Sequence, residues 1–227
     1  MKSKRLILIA AMAFMALHAF DLNAQKYGIR DRLYFITAQG GLAFSMNENF
    51  NAFIKEKKAG ELFCPQGSVS FGRYLNNRRY GFRLSIGYSQ NKSAWNYQES
   101  FSNFKPYSFQ SVDAFVDAMV NCGDVSKYKG FNCRFFLGLG YAYSFGFKLP
   151  QDAISWYKVS EQNHSFGIRA GVILEYVTPR GFGIFLEPCF EMFTDKYNGV
   201  DPKSSGKKLG FPFDYKPNVS LGFAYHF

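Results

Sequence analysis

The 227-residue sequence has few of the side chains that usually build metal and catalytic centres, with four Cys, three His and two Trp. Beyond residue 24 the His residues are His164 and His226, and neither lies in a cluster of Cys, His or Asp at metal-ligand spacing. His164 and Ser165 would point to opposite faces of a strand, which prevents a local nucleophile–base pair. The sequence therefore predicts no catalytic residue, no metal ion and no cofactor.

Pairs of acidic residues four positions apart are also poorly spaced for acid–base catalysis. Asp113 and Asp117 share one face of a strand pattern, and Glu187 and Glu191 share a face of another. Four residues of strand span about 13 Å, whereas the two carboxylates of a glycosidase stand about 5–9.5 Å apart. Neither pair fits by itself, although cross-strand pairs cannot be judged from sequence. We predict that the protein is not an enzyme.

Long apolar runs are absent after residue 24, which excludes membrane-spanning helices of about 20 residues. The one long run, residues 6–17, follows Lys2, Lys4 and Arg5 and precedes Ala24. This order predicts a secretory signal peptide over residues 1–24, with a buried N-terminal helix as the alternative. Residues 25–227 then form a single domain.

Acidic residues are fewer than basic ones, 17 against 27, and the formal net charge is +10. Without residues 1–24, 24 basic and 16 acidic side chains leave +8. A basic surface attracts polyanions. An exported protein rarely meets nucleic acid, so we expect anionic lipid or lipopolysaccharide as the partner and no nucleic acid.

Aromatic residues and glycine are abundant, with 27 Phe, 15 Tyr and 21 Gly. They recur in eight segments whose apolar and small or polar residues alternate with period two, as in strands. The segments are 34–44, 67–75, 80–90, 108–121, 131–146, 164–177, 182–193 and 217–227. Short links alternate with long ones, as in membrane barrels with short periplasmic turns and longer outer loops.

Segment 108–121 allows two interpretations. Its alternation fits a strand, but Val112, Phe115, Val116 and Met119 also fit one face of a helix. Bacterial single-chain barrels have an even number of strands. Without this segment the count is seven, so we predict a strand.

The last segment has Val219, Leu221 and Phe223 on one face and ends on an aromatic residue. Its pattern resembles the terminal strand of bacterial outer-membrane β-barrels: polar residue, any residue, Gly, two of any, aromatic, any, aromatic. Ser220, Gly222, Tyr225 and Phe227 fill the four specified positions. The resemblance implies that this segment is the signal read by the barrel-insertion machinery, and that the protein lies in the cell outer membrane.

The residues after position 24 resemble small outer-membrane barrels of the OmpA/OmpX type in architecture. In their sequence pattern they resemble the PorT-like barrel group of Bacteroidetes. The resemblance implies an all-β fold, an eight-stranded antiparallel up-and-down transmembrane β-barrel. A soluble lipocalin-like barrel is the alternative, with its large apolar residues inside. Aromatic residues at the ends of the apolar faces favour the membrane, because membrane barrels carry aromatic girdles there.

Eight charged residues fall on the face that the membrane orientation turns inward. Because a buried charge persists only when paired, we predict a charge network that plugs the lumen; a charged solute pathway is the alternative. The residues are Arg83, Asp113, Asp117, Arg134, Arg169, Glu175, Glu187 and Glu191.

Cysteines in an exported protein meet an oxidising compartment. Cys122 and Cys133 flank one predicted periplasmic hairpin, where a disulfide is geometrically plausible. Cys64 and Cys189 would pair only by elimination, and the alternative is free thiols.

The resemblance does not identify an activity, because one fold serves many functions. We expect a non-enzymatic barrel that acts through its loops as a structural, adhesion or secretion and assembly component, with a protein partner at the loops. A narrow small-solute channel is the alternative, and a lipid A-modifying enzyme is a further one. The lysines of the predicted loops are Lys55, Lys57, Lys58, Lys92, Lys105, Lys203, Lys207 and Lys208.

Overall fold

The computed structural model describes most of the chain after residue 31. The described residues are 32–46, 59–75, 78–95, 105–122, 130–148, 161–194, 196–199 and 213–227. They form eight strands and one 3₁₀ turn, Ala59–Leu62. The strands are β1 Tyr34–Phe44, β2 Phe63–Tyr74, β3 Tyr80–Trp95, β4 Lys105–Asn121, β5 Gly130–Lys148, β6 Gln162–Val177, β7 Phe182–Thr194 and β8 Phe213–His226.

Each strand pairs antiparallel with the next, and β8 pairs with β1 to close the barrel. Tyr34 and Phe227 exchange backbone hydrogen bonds of 2.9 Å at the closing seam. The predicted fold class, a closed eight-stranded antiparallel barrel, is confirmed. No helix among the described residues is both long and apolar enough to cross a membrane.

All eight predicted segments are strands, and the helical interpretation of residues 108–121 is wrong. The segment lies in β4, which pairs with β3 and with β5 along its length. These backbone hydrogen bonds decide between two side-chain patterns that fit equally well. Several strands are longer than predicted, because hairpin pairing continues past the alternating part, as from Gln90 to Trp95 in β3. Lys92 and Lys105, expected in a loop, belong to these extensions. The other six loop lysines lie outside the described residues.

The outer surface of the barrel is apolar and the inner surface is polar. Leu139 and Phe166 are 70% and 71% exposed, whereas Arg83 and Asp117 on the inner face are 1% and 0% exposed. A soluble protein rarely exposes an apolar patch of more than a few hundred Å². The lipocalin-like alternative, with large apolar residues inside, is therefore wrong, and the apolar belt is a lipid-facing surface.

The two ends of the barrel differ. We call the end with the short connections 75–79, 122–129 and 178–181 the turn end, and the opposite end the loop end. Short turns are periplasmic in bacterial barrels. At the turn end the outward aromatic residues Phe182, Tyr225, Phe227, Tyr34 and Phe71 form a continuous series of ring contacts with centroids 4.9–6.0 Å apart.

The lumen is capped by an aromatic cluster near each end. The turn-end cluster consists of Phe35, Tyr74, Met119, Phe136, Ile173, Phe185, Cys189 and Ala224. The loop-end cluster consists of Tyr107, Phe109, Phe115, Ala142, Phe193 and Tyr197. Arg83 and Arg169 lie between the two clusters, against Phe136 and Phe115, which positions the candidate site.

Candidate functional site

The middle of the lumen contains a group of ion pairs that we call the central network: Arg83, Asp117, Arg169 and Glu187. Arg83 of β3 donates from Nε to Asp117 Oδ2 at 2.7 Å, and Asp117 is its register partner on β4. Its two other guanidinium nitrogens donate across the lumen to Glu187 of β7, at 2.5 and 3.2 Å. Arg83 therefore ties adjacent strands to the opposite wall.

Asp117 also binds Arg169, which lies two strands away on β6. Arg169 donates from Nε and Nη2 to the two carboxylate oxygens at 2.8 Å each. Gly138 lies between them in the register of β5. A side chain at Gly138 would collide with the Asp117 carboxylate. The glycine therefore lets one carboxylate accept from two arginines.

A second group, the turn-end network, contains Arg134, Glu175, His226 and Tyr74. The Arg134 guanidinium contacts Glu175 Oε2 and the Tyr74 hydroxyl. His226 Nε2 lies 2.9 Å from Glu175 Oε1. A Cβ on Gly183 would stand 2.5 Å from that same oxygen, so glycine again makes room for a carboxylate.

The third group, the loop-end network, relies more on hydroxyl and amide groups. Lys216 Nζ lies 3.1 Å from Glu191 Oε2 and donates to Ser89 Oγ at 3.1 Å. Ser89 contacts Ser111 Oγ at 2.9 Å, and Ser111 contacts the Tyr197 hydroxyl at 2.8 Å. Asn91 donates to both serines.

All eight charged residues predicted for the inner face are buried in the lumen. Six of them pair with one another in the central and turn-end networks, whereas Glu191 pairs with Lys216. Asp113 has Lys216, Glu191 and Arg169 as its electrostatic neighbours. It lies beside a polar cavity of about 20 Å³ that Gln39 and Asn218 also line. That volume is close to that of one water molecule.

The aromatic clusters pack directly on the central arginines. The guanidinium carbon of Arg83 lies 4.6 Å from the centre of the Phe136 ring, and that of Arg169 lies 4.3 Å from the centre of the Phe115 ring. Cation–π contacts of this kind are favourable when the cation is desolvated. The lumen is thus filled by paired charges held between aromatic layers.

Lys216, Tyr74 and Ser85 were not predicted as partners, and Phe115 was not predicted to face inward. Ser85 Oγ accepts from Arg169 Nη2 at 2.5 Å. Lys216 has the same parity as Ser220 and Gly222, so extending the predicted strand one residue upstream of Pro217 would have found it. Phe115 has the parity of Asp113 and Asp117. Its apolar character gave no signal that it faces inward.

The four cysteines are free thiols in the structure. Cys122 and Cys133 are close, since the Cys122 N–H donates to the Cys133 carbonyl at 2.9 Å, but no bridge joins them. Proximity permits a disulfide, whereas oxidation depends on the redox environment. The pairing of Cys64 with Cys189 by elimination is wrong, because Cys64 lies at the loop end of β2 and Cys189 in the turn-end cluster.

Nothing in the described part of the chain groups three or more His, Cys, Asp or Glu residues as a metal site would require. His164 is on the lipid-facing surface, where its ring contacts Tyr141 and Tyr143. His226 takes part in the turn-end network.

The terminal pattern is split between the two faces of β8. Ser220 and Gly222 face the lumen and are buried, whereas Tyr225 and Phe227 belong to the aromatic series outside. The alternation of the strand explains this division.

No protein-family model matches the chain, and no curated protein is similar to it in sequence. Solved structures of similar fold include the outer membrane protein OprG of Pseudomonas aeruginosa, with a TM-score of 0.54, 11% identity, and coverage of 88% of this chain and 99% of that one. A major outer membrane protein of Thermus thermophilus has a TM-score of 0.52, 14% identity, and coverage of 86% and 99%. The chain has the fold of the small outer-membrane β-barrels, and its apolar belt fits it to that membrane.

Proposed function

We propose that this protein is a non-enzymatic outer-membrane barrel with a plugged lumen, which acts through its loops as a structural, adhesion or secretion and assembly component. The observation that carries the proposal is the central network. Arg83 and Arg169 join β3, β4, β6 and β7 through Asp117 and Glu187. The hydrogen bonds between them measure 2.5–2.8 Å. A solute could pass only if these bonds separated.

The energetics of buried ion pairs support a closed lumen. Removing one partner of a buried pair typically costs about 3–5 kcal/mol, because it leaves an uncompensated charge. Asp117 accepts from two arginines, and Arg83 donates to two carboxylates. Opening the lumen therefore requires several such separations at once.

The longest strands of the barrel extend it at the loop end. β3, β4 and β5 have 16, 17 and 19 residues, compared with 11 and 12 in β1 and β2. The β3–β4 hairpin is paired as far as Trp95 and Lys105. Binding often depends on loops that a rigid scaffold positions, so residues 96–104, which connect these two strands in the sequence, are the segment that we propose for partner contact.

Conductance and pull-down measurements test the two parts of the proposal. Folded wild-type protein in planar bilayers should produce no single-channel steps, and discrete steps would contradict a plugged lumen. In a mild-detergent pull-down from the native outer membrane, we expect a stoichiometric partner. That partner should be lost when Asn-Gly replaces residues 96–104, since this dipeptide makes a two-residue hairpin turn.

A variant with a scrambled 96–104 segment separates sequence from length. Its mobility in SDS before and after boiling should match the wild type, which shows that the barrel is folded. Retention of the partner by the Asn-Gly variant would rule out this hairpin as the binding segment.

A narrow small-solute channel is the second candidate, and the polar cavity of about 20 Å³ between the central and loop-end networks favours it. Phe193 and Tyr197 of the loop-end cluster are buried nearer the loop end of the same lumen. A variant with both residues changed to Ala should conduct if the cavity belongs to a pathway. Under our first proposal it stays silent, because the central network still fills the lumen.

We also propose that residues 1–24 are removed during export and that Ser220, Gly222, Tyr225 and Phe227 act as the barrel-assembly signal. The intact mass of the protein isolated from the outer membrane should then equal that of a chain that begins at Gln25.

The Asn23–Ala24 step and the terminal aromatic residue support placement in the PorT-like group. The basic residues support contact with lipopolysaccharide.

A further inference from the structure

The lipid-facing surface has a groove where the barrel closes. This seam groove has a volume of about 520 Å³ and extends from β7 across β8, β1 and β2 to β3. Its walls include Ala38, Val69, Phe71, Leu84, Phe223 and Tyr225. The volume is within the range of about 300–1,000 Å³ that is usual for ligand pockets.

The register explains the shape of the groove. Ala38 lies between Val69 of β2 and Phe223 of β8, whose side chains are 60% and 68% exposed. The small alanine between two large neighbours makes a depression in the apolar surface. One step toward the turn end, Ile36 lies between Phe71 and Tyr225.

The next step toward the turn end brings an arginine to the lipid-facing surface. Arg73 pairs with Tyr34 in the register of β1 and β2, and it has the outward parity of Val69 and Phe71. Its guanidinium carbon lies 5.2 Å from the centre of the Tyr34 ring. Its Nε is buried and has no hydrogen-bond partner among the described residues. A guanidinium held against a ring at the membrane edge is well suited to a phosphate.

Charge at the turn end is of one sign among the described side chains outside the lumen. These side chains are Arg32, Arg73, Arg78, Arg79 and Arg180, and no Asp or Glu accompanies them in the described ranges. The loop end of the described barrel instead has both Lys148 and Glu161 exposed. The turn end is therefore complementary to an anionic surface.

We propose that the seam groove holds an acyl chain of one anionic phospholipid of the inner leaflet, whose phosphate is bound by Arg73. The groove lies directly beyond the Arg73–Tyr34 pair, so one molecule can place its headgroup on the arginine and its chain over Ala38. The turn end is periplasmic, which selects phospholipid and not lipopolysaccharide. The site is on the outer surface and does not depend on whether the lumen is plugged.

Native mass spectrometry tests the proposal. The sample is the folded barrel of residues 25–227 in mild detergent, with added phosphatidylglycerol or phosphatidylcholine. We expect one tightly retained phosphatidylglycerol per barrel and weaker retention of phosphatidylcholine. Arg73→Gln should weaken phosphatidylglycerol retention about tenfold, because it removes the charge-assisted hydrogen bonds to the phosphate. Lys148→Gln, the same charge change at the loop end, should have no effect.

A second pair of variants tests the groove itself. Ala38→Leu fills the depression and should reduce retention. Ala170→Leu is the matched control, because Ala170 is an exposed outward residue between Leu137 and Phe190 on the other side of the barrel. Boiled and unboiled mobility in SDS shows whether each variant is folded. Equal retention of both lipids, wild-type retention by Arg73→Gln, or preferential retention of lipopolysaccharide would overturn the proposal.

Discussion

The central network and the loop-end network occupy the same lumen but are built differently. In the central network, Asp117 and Glu187 are held by guanidinium groups at 2.5–3.2 Å, and glycine at position 138 admits the shared carboxylate. In the loop-end network, one Lys–Glu pair is joined to hydroxyl and amide groups beside a small cavity. The difference indicates that the middle of the barrel is the more tightly paired part of the lumen, and that the loop end can rearrange more easily.

Removal of Asp117 should break this contrast most severely. Asp117→Ala leaves Arg83 and Arg169 without a shared acceptor, and we expect a loss of about 3–5 kcal/mol in the free energy of unfolding. Urea unfolding in micelles measures the loss. Asp113→Ala removes a carboxylate from the same face and should lower the free energy of unfolding by less. The reason is that Asp113 has charged neighbours but does not share the two-nitrogen donation that Arg169 makes to Asp117. Equal losses would contradict a special role for the carboxylate that two arginines share.

Filling the space at Gly138 should disturb the central network without removing a charge. The added methyl group of Gly138→Ala collides with the Asp117 carboxylate, and such overpacking typically costs about 1–3 kcal/mol. Gly40→Ala is the control, since a Cβ at Gly40 meets only one atom, at 3.8 Å. A Gly138→Ala barrel that unfolds at the same urea concentration as the Gly40→Ala barrel would show that the Asp117 carboxylate can move aside.

Loss of a single hydroxyl from the loop-end network should have the smallest effect. Tyr197→Phe removes the contact with Ser111 but keeps the ring stacked on Phe193, where the centroids are 4.2 Å apart. We expect a loss of about 0.5–1.5 kcal/mol, measured by the same unfolding experiment. A loss as large as that of Asp117→Ala would mean that the loop end is as rigid as the middle of the barrel.

Alternation was sufficient to sort the residues of each strand into two faces, and the aromatic residues at the ends of the apolar faces indicated which face meets the lipid. β1 has the predicted bounds, and the charged residues of β3, β5, β6 and β7 lie on the predicted inner face. The signal is reliable because a strand turns successive side chains to opposite faces. It fails where the inner face is itself apolar, as at Phe115, because period two identifies a face and not its environment.

The sequence by itself determined seven of the eight strands, the parity of their side chains and the location of the apolar belt. Only the tertiary structure decided that residues 108–121 are a strand, that Arg83 meets Glu187 across the lumen, and that Asp117 reaches Arg169 over Gly138. The reason is that parity is a local property of one strand. Contacts across the lumen depend on the closure of β8 on β1 and on the register of every pair between them.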